Sequence, residues 1–143
     1  MARTLSILLV LLSSFAFSQT ITSKPIYKGS QYLTIDEFTE QGDIYFGYQN
    51  PKYTAITDII SFSVESKSEA IALMNEALKL LEMEKTDKDQ HIRHSYAGVE
   101  MVRYGFHQKS VTVDKLPLSK KEINLILDAM ESYTYKGERN VSE

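Results

Sequence analysis

The chain contains no cysteine and no tryptophan, and only three of its 143 residues are proline. Without cysteine it forms no disulfide bond and no thiolate zinc site, and it has no thiol to carry a lipid after a leader segment. We therefore expect its stability to come from core packing alone. Basic residues are not in excess either, since 16 Lys and Arg residues stand against 19 Asp and Glu residues, a net charge of −3. Because nucleic-acid phosphates require clustered Lys and Arg, this balance argues against a nucleic-acid partner.

Long apolar runs are absent except within the first twenty residues, MARTLSILLVLLSSFAFSQT. One basic residue, Arg3, precedes the apolar run and small residues follow it, which is the layout of a secretory signal peptide. Ala16 and Ser18 place small side chains at the two positions that a signal peptidase inspects. We predict that residues 1–18 are the signal peptide and that cleavage occurs before Gln19.

The length of this apolar run also indicates where the protein acts. A stable membrane span needs about 20 apolar residues, and the run here is shorter and weakly flanked. We therefore expect no membrane span in the mature chain. An exported domain without cysteine is more typical of bacterial envelopes than of animal extracellular fluid, so we expect a secreted or periplasmic protein.

Two later segments, SKSEAIALMNEALKLL from Ser66 and SKKEINLILDAMESY from Ser119, share an opening and a period. In each, a serine is followed three residues later by a glutamate, the pattern of a capping box that begins a helix. Apolar residues then recur every three to four positions, which predicts an amphipathic helix packed on a core. The predicted buried faces are Ala70, Ile71, Leu73, Met74, Ala77, Leu78, Leu80 and Leu81 in the first helix, and Ile123, Leu125, Ile126, Ala129, Met130 and Tyr133 in the second.

A different period, two residues, precedes each helix and predicts strands. Each helix follows two such segments, and the aromatic-glycine sequences YFGY and RYGF occupy equivalent places in this interpretation. Each half of the chain is therefore predicted to be a hairpin followed by a helix. The predicted inward residues are Ile44, Phe46, Tyr48, Ile56, Ile60, Phe62 and Val64 in the first half, and Val102, Tyr104, Phe106, Val111 and Val113 in the second.

These patterns predict an α+β fold of tandem β-β-α units. Neither hairpin can bury its apolar face alone, so we expect the two to join in one mainly antiparallel four-stranded sheet with both helices on one face. The single α+β domain is predicted to span residues 43–135, with repeat halves at 43–85 and 97–135.

The two ends of the mature chain carry weaker signals. Residues 19–42 contain the breakers Pro25 and Gly29, which predict an irregular lead-in with a possible edge strand at Tyr32 to Ile35. Residues 136–143 are polar and are predicted to be a frayed tail.

The segment DKDQHIRH carries the densest group of possible metal ligands, Asp87, Asp89, His91 and His94. Carboxylate and imidazole groups are ligands that zinc accepts. Their spacing matches no established metal motif, however, and two basic residues lie among them. We interpret the segment as a solvated connector and predict neither a metal nor another cofactor.

No catalytic motif is present either. The chain lacks a cysteine nucleophile, a G-x-S-x-G elbow and a glycine-rich phosphate loop, and His107 is the best-placed candidate base among three histidines. Asp58 falls on the same strand face as Ile60. A carboxylate that faces the core needs hydrogen-bond or ionic partners. Asp58 therefore indicates a bulge, a hydrogen-bonded contact near the end of the sheet, or a functional site.

Strict strand alternation predicts one candidate binding surface. It turns Tyr45, Gly47, Arg103, Gly105 and His107 away from the helices, and the two glycines would leave a shallow depression. The alternative is that the glycines mark bulges with no ligand involved. If the surface exists, replacing Tyr45 and Arg103 together by Ala leaves the melting temperature nearly unchanged. If the double variant unfolds, the strand register is wrong by one residue.

The leading functional hypothesis is an exported, non-enzymatic binding or interaction module of the cell envelope. Its expected partner is a protein, a peptide or a glycan, and the open sheet face would also allow a homodimer. The alternative is a small secreted hydrolase or metal-dependent enzyme that uses His107 or the Asp87 to His94 segment.

Overall fold

The computed structural model describes residues 23–38, 42–53 and 58–134. Within them, four strands and a helix are followed by four more strands and a second helix. The predicted signal peptide, the predicted tail and Ile56 lie outside the described residues.

The first sheet contains four strands in chain order, each antiparallel to the next. Its strands are β1 (Ser23–Lys28), β2 (Thr34–Phe38), β3 (Ile44–Gln49) and β4 (Ile59–Val64). The sheet is therefore a meander with β1 and β4 at its two edges.

The second sheet repeats this plan. Its strands are β5 (His91–Tyr96), β6 (Val99–Tyr104), β7 (Ser110–Val113) and β8 (Leu116–Ser119), again antiparallel in chain order. Tight turns join β5 to β6 and β7 to β8, and the positive φ angles of Gly98 and Asp114 in these turns allow the short connections. Residues 105–109 form the longer connection between β6 and β7.

The first helix, α1 (Lys67–Glu82), begins where the sequence predicts. The Ser66 side chain accepts a hydrogen bond from the backbone N–H of Glu69, and the Glu69 carboxylate accepts one from the N–H of Glu65. The predicted buried face is confirmed in its central positions, which are Ala70, Leu73, Met74, Ala77 and Leu80.

The second helix, α2 (Lys120–Ser132), begins with a complete capping box in which Ser119 and Glu122 exchange hydrogen bonds. Ile123, Ile126 and Met130 of its predicted buried face are buried, and Ala129 and Tyr133 are half-buried. Leu125, predicted to be inward, is 45% exposed, and Leu127 is buried instead. Neither helix in the described part of the chain is long and apolar enough to cross a membrane.

One hydrophobic cluster joins both sheets and both helices. Helix α1 contacts β6 and β7 of the second sheet as well as β4, and helix α2 contacts β1 of the first sheet as well as β8. Each helix thus packs on the sheet of the other half. The fully buried members of the cluster include Ile35, Ile44, Phe46, Tyr48, Leu73, Met74, Met101, Ile123 and Ile126.

The predicted α+β class, the antiparallel pairing and the two helices are confirmed. The grouping of strands differs, because the structure has two four-stranded sheets where the sequence predicted one. The four strands outside the predicted sheet are β1, β2, β5 and β8, and three of them are edge strands. The strand signal of these three is weak, because β1 and β8 contain Pro25 and Pro117 and β5 is mostly polar. The predicted irregular lead-in consequently contains β1 and β2.

The predicted equivalence of the two aromatic-glycine segments is wrong. Gly47 lies in β3, the third strand of its sheet, whereas Gly105 follows β6, the second strand of its sheet. Similar local sequence therefore occurs at different positions of the two meanders.

Strand register is confirmed in β3 and displaced by one residue in β6. Ile44, Phe46 and Tyr48 are fully buried, as predicted. In β6, Met101 and Arg103 belong to the side that faces the core, and Phe106, predicted to be inward, is 73% exposed. Val102 is also buried, but outside the core cluster. Apolar residues on both faces of β6 leave its register undetermined by pattern alone.

The capping box of α2 leads to a stability prediction. Replacing Ser119 by Ala removes the acceptor for the Glu122 N–H and is expected to lower the free energy of unfolding by about 1 kcal/mol. Urea denaturation followed by circular dichroism measures this change. Ser132→Ala, at the exposed end of the same helix, is the control, and equal losses for both variants would contradict the prediction.

The effect of Ser119→Ala should also depend on pH. Burial raises the pKa of the Glu122 carboxyl. Hydrogen bonds from the Ser119 N–H, the Ser119 hydroxyl and the Ser30 hydroxyl lower this pKa by more than burial raises it. The pKa of Glu122 therefore lies below the ordinary value of 4.5. A lowered carboxyl pKa stabilises the folded state above pH 4.5, and this stabilisation is lost as the pH falls through the folded pKa. The difference between wild type and Ser119→Ala should therefore shrink in acid.

Candidate functional site

Arg103 anchors the end of helix α1 instead of facing solvent. Its side chain is 1% exposed, and its guanidinium donates hydrogen bonds to the carbonyl oxygens of Leu80 (2.8 Å), Met83 (2.7 Å) and Glu84 (2.5 Å). The last carbonyls of a helix lack intrahelical donors, and a positive charge is favourable there. Arg103 thereby fixes the end of α1 and the start of the connector to β5, residues 83–90, and it is not available to a ligand.

Two further residues hold the connector against the end of β6. The Gln108 side-chain amide accepts a hydrogen bond from the Thr86 N–H (3.0 Å) and donates one to the Thr86 carbonyl (2.7 Å). At Gly105, a Cβ atom would lie 2.0 Å from the carbonyl oxygen of Asp87 and 2.1 Å from that of Gln90. Only glycine fits at this position, because the backbone of the connector occupies the space of a side chain.

The pinned connector forms one wall of a surface depression of about 510 Å³. Two lysines and a histidine lie among its lining residues, which makes the depression locally basic in a chain of net charge −3. The lining residues are Lys85, Gly105, Phe106, His107, Gln108 and Lys109. Gly105 and His107 are thus two predicted site residues that the fold brings together.

A row of three rings leads from β5 to the rim of this depression. The ring centroids of His91 and Tyr104 are 5.8 Å apart, and those of Tyr104 and Phe106 are 5.3 Å apart. Phe106 ends the row in the turn after β6, where it is 73% exposed. We call His91, Tyr104 and Phe106 the aromatic row. An exposed aromatic ring next to lysine side chains is suited to contact with a partner.

Tyr45 and Gly47 lie in a different sheet from the other three predicted residues. Both are in β3 and face away from the core, as predicted, since they alternate with fully buried neighbours. The Tyr45 ring packs on Phe38, with 4.2 Å between the centroids, and Gly47 lies beside Thr34. The five residues therefore do not form one open surface, although a binding role for Tyr45 and Gly47 stays a prediction.

The candidate metal ligands are distributed over two elements. Asp87 and Asp89 lie in the connector, as predicted, whereas His91 and His94 belong to strand β5. His94 Nε2 lies 3.3 Å from the Glu76 carboxylate. Across residues 23–38, 42–53 and 58–134, no three His, Cys, Asp or Glu side chains are grouped so that they could hold a metal ion.

The remaining polar candidates are placed as follows. His107 is exposed at the depression, next to Phe106. The Asp58 carboxylate accepts a hydrogen bond from the Asn50 side chain (2.9 Å), and the Asp58 carbonyl accepts one from the Asn50 N–H (2.7 Å). Asp58 therefore makes a hydrogen-bonded contact near the end of the sheet, which is one of the three explanations predicted for an inward carboxylate at this position.

Glu37, which no sequence pattern indicates as a functional residue, is fully buried in β2. The Tyr133 hydroxyl donates a hydrogen bond to its carboxylate. Burial raises the pKa of Tyr133, and the hydrogen bond to Glu37 raises it further, so the phenol stays protonated and able to donate. Tyr133 caps the C-terminal end of α2. Glu37 thus holds the end of α2 from the second strand of its sheet, as Arg103 holds the end of α1.

Searches for similar proteins found no matching family model, no similar curated protein and no similar solved structure.

Proposed function

We propose that this protein is an exported, non-enzymatic binding module of the cell envelope and that it contacts its partner through the aromatic row and the basic depression beside it. The observation that carries the proposal is the position of Phe106, a large ring 73% exposed at the rim of the depression and in contact with Tyr104. Export is supported by the signal-peptide pattern of residues 1–18.

The chemistry of this surface suggests the class of partner. The rings offer flat apolar faces with little conformational entropy to lose, and Lys85 and Lys109 add positive charge within the same depression. A partner that carries both flat apolar groups and carboxylates complements this combination. Acidic peptide segments and glycans that contain uronic acids have these properties.

We predict that Phe106→Ala weakens binding to such a partner by about tenfold or more, because exposed aromatic anchors contribute most of the energy at small interfaces. The melting temperature should stay within a few degrees of wild type, since the ring is largely exposed. Binding is measured by calorimetry or interferometry with polyglutamate and polygalacturonate as probes and dextran as the uncharged reference.

Two further variants make this experiment specific. Leu125→Ala removes an exposed apolar side chain on α2, away from the aromatic row, and should bind like wild type. Lys85→Ala with Lys109→Ala should reduce both the affinity and its dependence on salt. Equal binding by Phe106→Ala and wild type would reject the surface. Turnover of a substrate that is lost in His107→Ala with the fold intact would favour the hydrolase hypothesis instead.

A further inference from the structure

The two sheets have four edge strands, which are β1, β4, β5 and β8. An edge strand presents unpaired backbone N–H and C=O groups that another strand can bind. Proteins that must avoid such pairing protect their edges with charged side chains, proline, bulges or very short strands. The distribution of these features among the four edges is therefore informative.

Three of the four edges carry such features. Strand β1 contains Lys24 and Pro25 and has a break in its pairing with β2 next to this proline. Strand β5 contains Arg93 and His94, both exposed. Strand β8 is four residues long and contains Pro117.

Strand β4 carries none of them. Its six residues, Ile-Ile-Ser-Phe-Ser-Val, include no charge, proline or glycine, and all six pair with β3 without interruption. Within the described part of the chain, no strand pairs with β4 on its other side.

The apolar side chains of β4 are also incompletely covered. Ile60 and Phe62 lie opposite Tyr48 and Phe46 and share their core-facing side, yet they are only half-buried while their two neighbours are fully buried. Ile59, on the other face, is 50% exposed. The core therefore ends at this edge with apolar surface in contact with solvent.

The backbone groups that β4 offers follow from its pairing with β3. The Asn50 N–H donates to the Asp58 carbonyl, which makes these two residues a hydrogen-bonded pair at the start of the ladder. Such pairs alternate along an antiparallel ladder, so Ile60, Phe62 and Val64 bond to β3. The N–H and C=O groups of the alternate residues, Ile59, Ser61 and Ser63, then point away from the sheet.

We propose that the occupant of this edge is β4 of a second copy, paired antiparallel across a twofold axis at Ser61. In this register Ser61 lies opposite Ser61 of the other copy, and Ile59 lies opposite Ser63 of the other copy. Every outward N–H and C=O group of these residues then has a hydrogen-bond partner. Ile60 lies opposite Phe62 of the other copy on the core-facing side. A twofold axis perpendicular to the sheet makes the two strands antiparallel and keeps their core-facing sides on one face. An uncharged strand also meets its copy without like-charge repulsion.

The pairing joins the two first sheets into one sheet of eight strands and covers Ile60 and Phe62. A register between the two β4 strands that is shifted by one residue is excluded. Such a register would place core-facing residues of one copy opposite solvent-facing residues of the other.

Because the chain contains no cysteine, a cysteine introduced by substitution is the only thiol that can form a disulfide in a cross-linking test. Ser61→Cys should form a disulfide-linked dimer on mild oxidation, because directly opposed residues have Cα atoms about 5.5 Å apart, within disulfide range. Ser95→Cys, exposed on the protected edge strand β5, is the matched control and should stay monomeric. Equal cross-linking of the two variants would overturn the proposal.

Sedimentation of the purified protein over a range of concentrations provides the second measurement. Wild type should shift from monomer to dimer as the concentration rises. Ser61→Pro should stay monomeric and folded by circular dichroism, because proline removes only an N–H that points away from β3. A monomer at every concentration, or a dimer that persists in Ser61→Pro, would overturn the proposal. So would capture of an added extended peptide at β4 without self-association, since the occupant would then be a different chain.

Discussion

Replacing Arg103 by Ala is expected to lower the free energy of unfolding by about 3 to 5 kcal/mol. The substitution removes a charged donor from three carbonyl oxygens at the end of α1 and leaves a cavity where the stem of the arginine packs. The total stability of a domain is about 5 to 15 kcal/mol, so the variant should be marginally folded. Urea denaturation at low temperature measures the loss.

Two other substitutions at the same position separate packing from hydrogen bonding. Replacing a buried ion and all its polar partners by apolar residues often leaves the free energy of unfolding unchanged. Here the carbonyl groups of Leu80, Met83 and Glu84 stay behind, so Arg103→Met should still cost about 2 kcal/mol or more. Arg103→Lys should recover only part of the loss, because an ammonium group does not reproduce the fork of a guanidinium.

Arg93 provides the matched control for these variants. It lies in the neighbouring strand β5, and its guanidinium pairs with Glu100 on the surface, with 58% of the side chain exposed. Surface ion pairs contribute about 0 to 1 kcal/mol, so Arg93→Met should be nearly neutral. If Arg103→Met were as stable as Arg93→Met, the proposed anchoring of α1 would be wrong.

Gly105→Ala is expected to displace the connector and to lower the free energy of unfolding by about 3 kcal/mol. The added Cβ atom would lie about 2 Å from two carbonyl oxygens, those of Asp87 and Gln90, and neither is the end of a flexible side chain that can move away. The connector must therefore leave the end of β6, and the contacts of Gln108 with Thr86 are lost with it.

Limited proteolysis with trypsin reports this displacement directly, because the connector contains Lys85 and Lys88. Cleavage there should be slow in wild type and much faster in Gly105→Ala. Gly47→Ala is the control: its Cβ atom would meet two side-chain atoms, the Thr34 hydroxyl at 3.3 Å and the Cγ2 methyl of Ile59 at 3.8 Å. The stability of this variant should therefore change by less than about 1 kcal/mol. If Gly105→Ala and Gly47→Ala lowered the free energy of unfolding equally, the connector could move away from Gly105 without loss of stability, and the prediction would be wrong.

Local sequence was sufficient for both helices and for strands β3 and β4. Ser66 and Ser119 begin the helices because their hydroxyls satisfy the first free N–H groups, an interaction within four residues of chain. The register of β3 is equally local, since only one of its faces is apolar. The positions of Tyr45 and Gly47 on the outer face could be predicted for the same reason.

The candidate site was not predictable from local sequence. A charged residue in a strand is normally assigned to the solvent side, and Arg103 faces the core only because the end of α1 arrives there with free carbonyl groups. The requirement for glycine at Gly105 likewise comes from the backbone of Asp87 and Gln90. The exposure of Phe106 follows, because β6 ends one residue after Arg103 and the chain turns outward.

The sequence by itself determined the elements whose causes lie within one helical turn or one strand: the two caps, the two amphipathic helices and the apolar faces of β3 and β4. The tertiary structure decided how these elements interlock. Glu37 in β2 binds Tyr133 at the end of α2, and Arg103 in β6 binds the end of α1, so each sheet holds the helix of the other half. Glu37 and Tyr133 are separated by 96 positions in the chain, and Arg103 and Met83 by 20, so both contacts join elements of different halves. No local pattern in the sequence records such contacts.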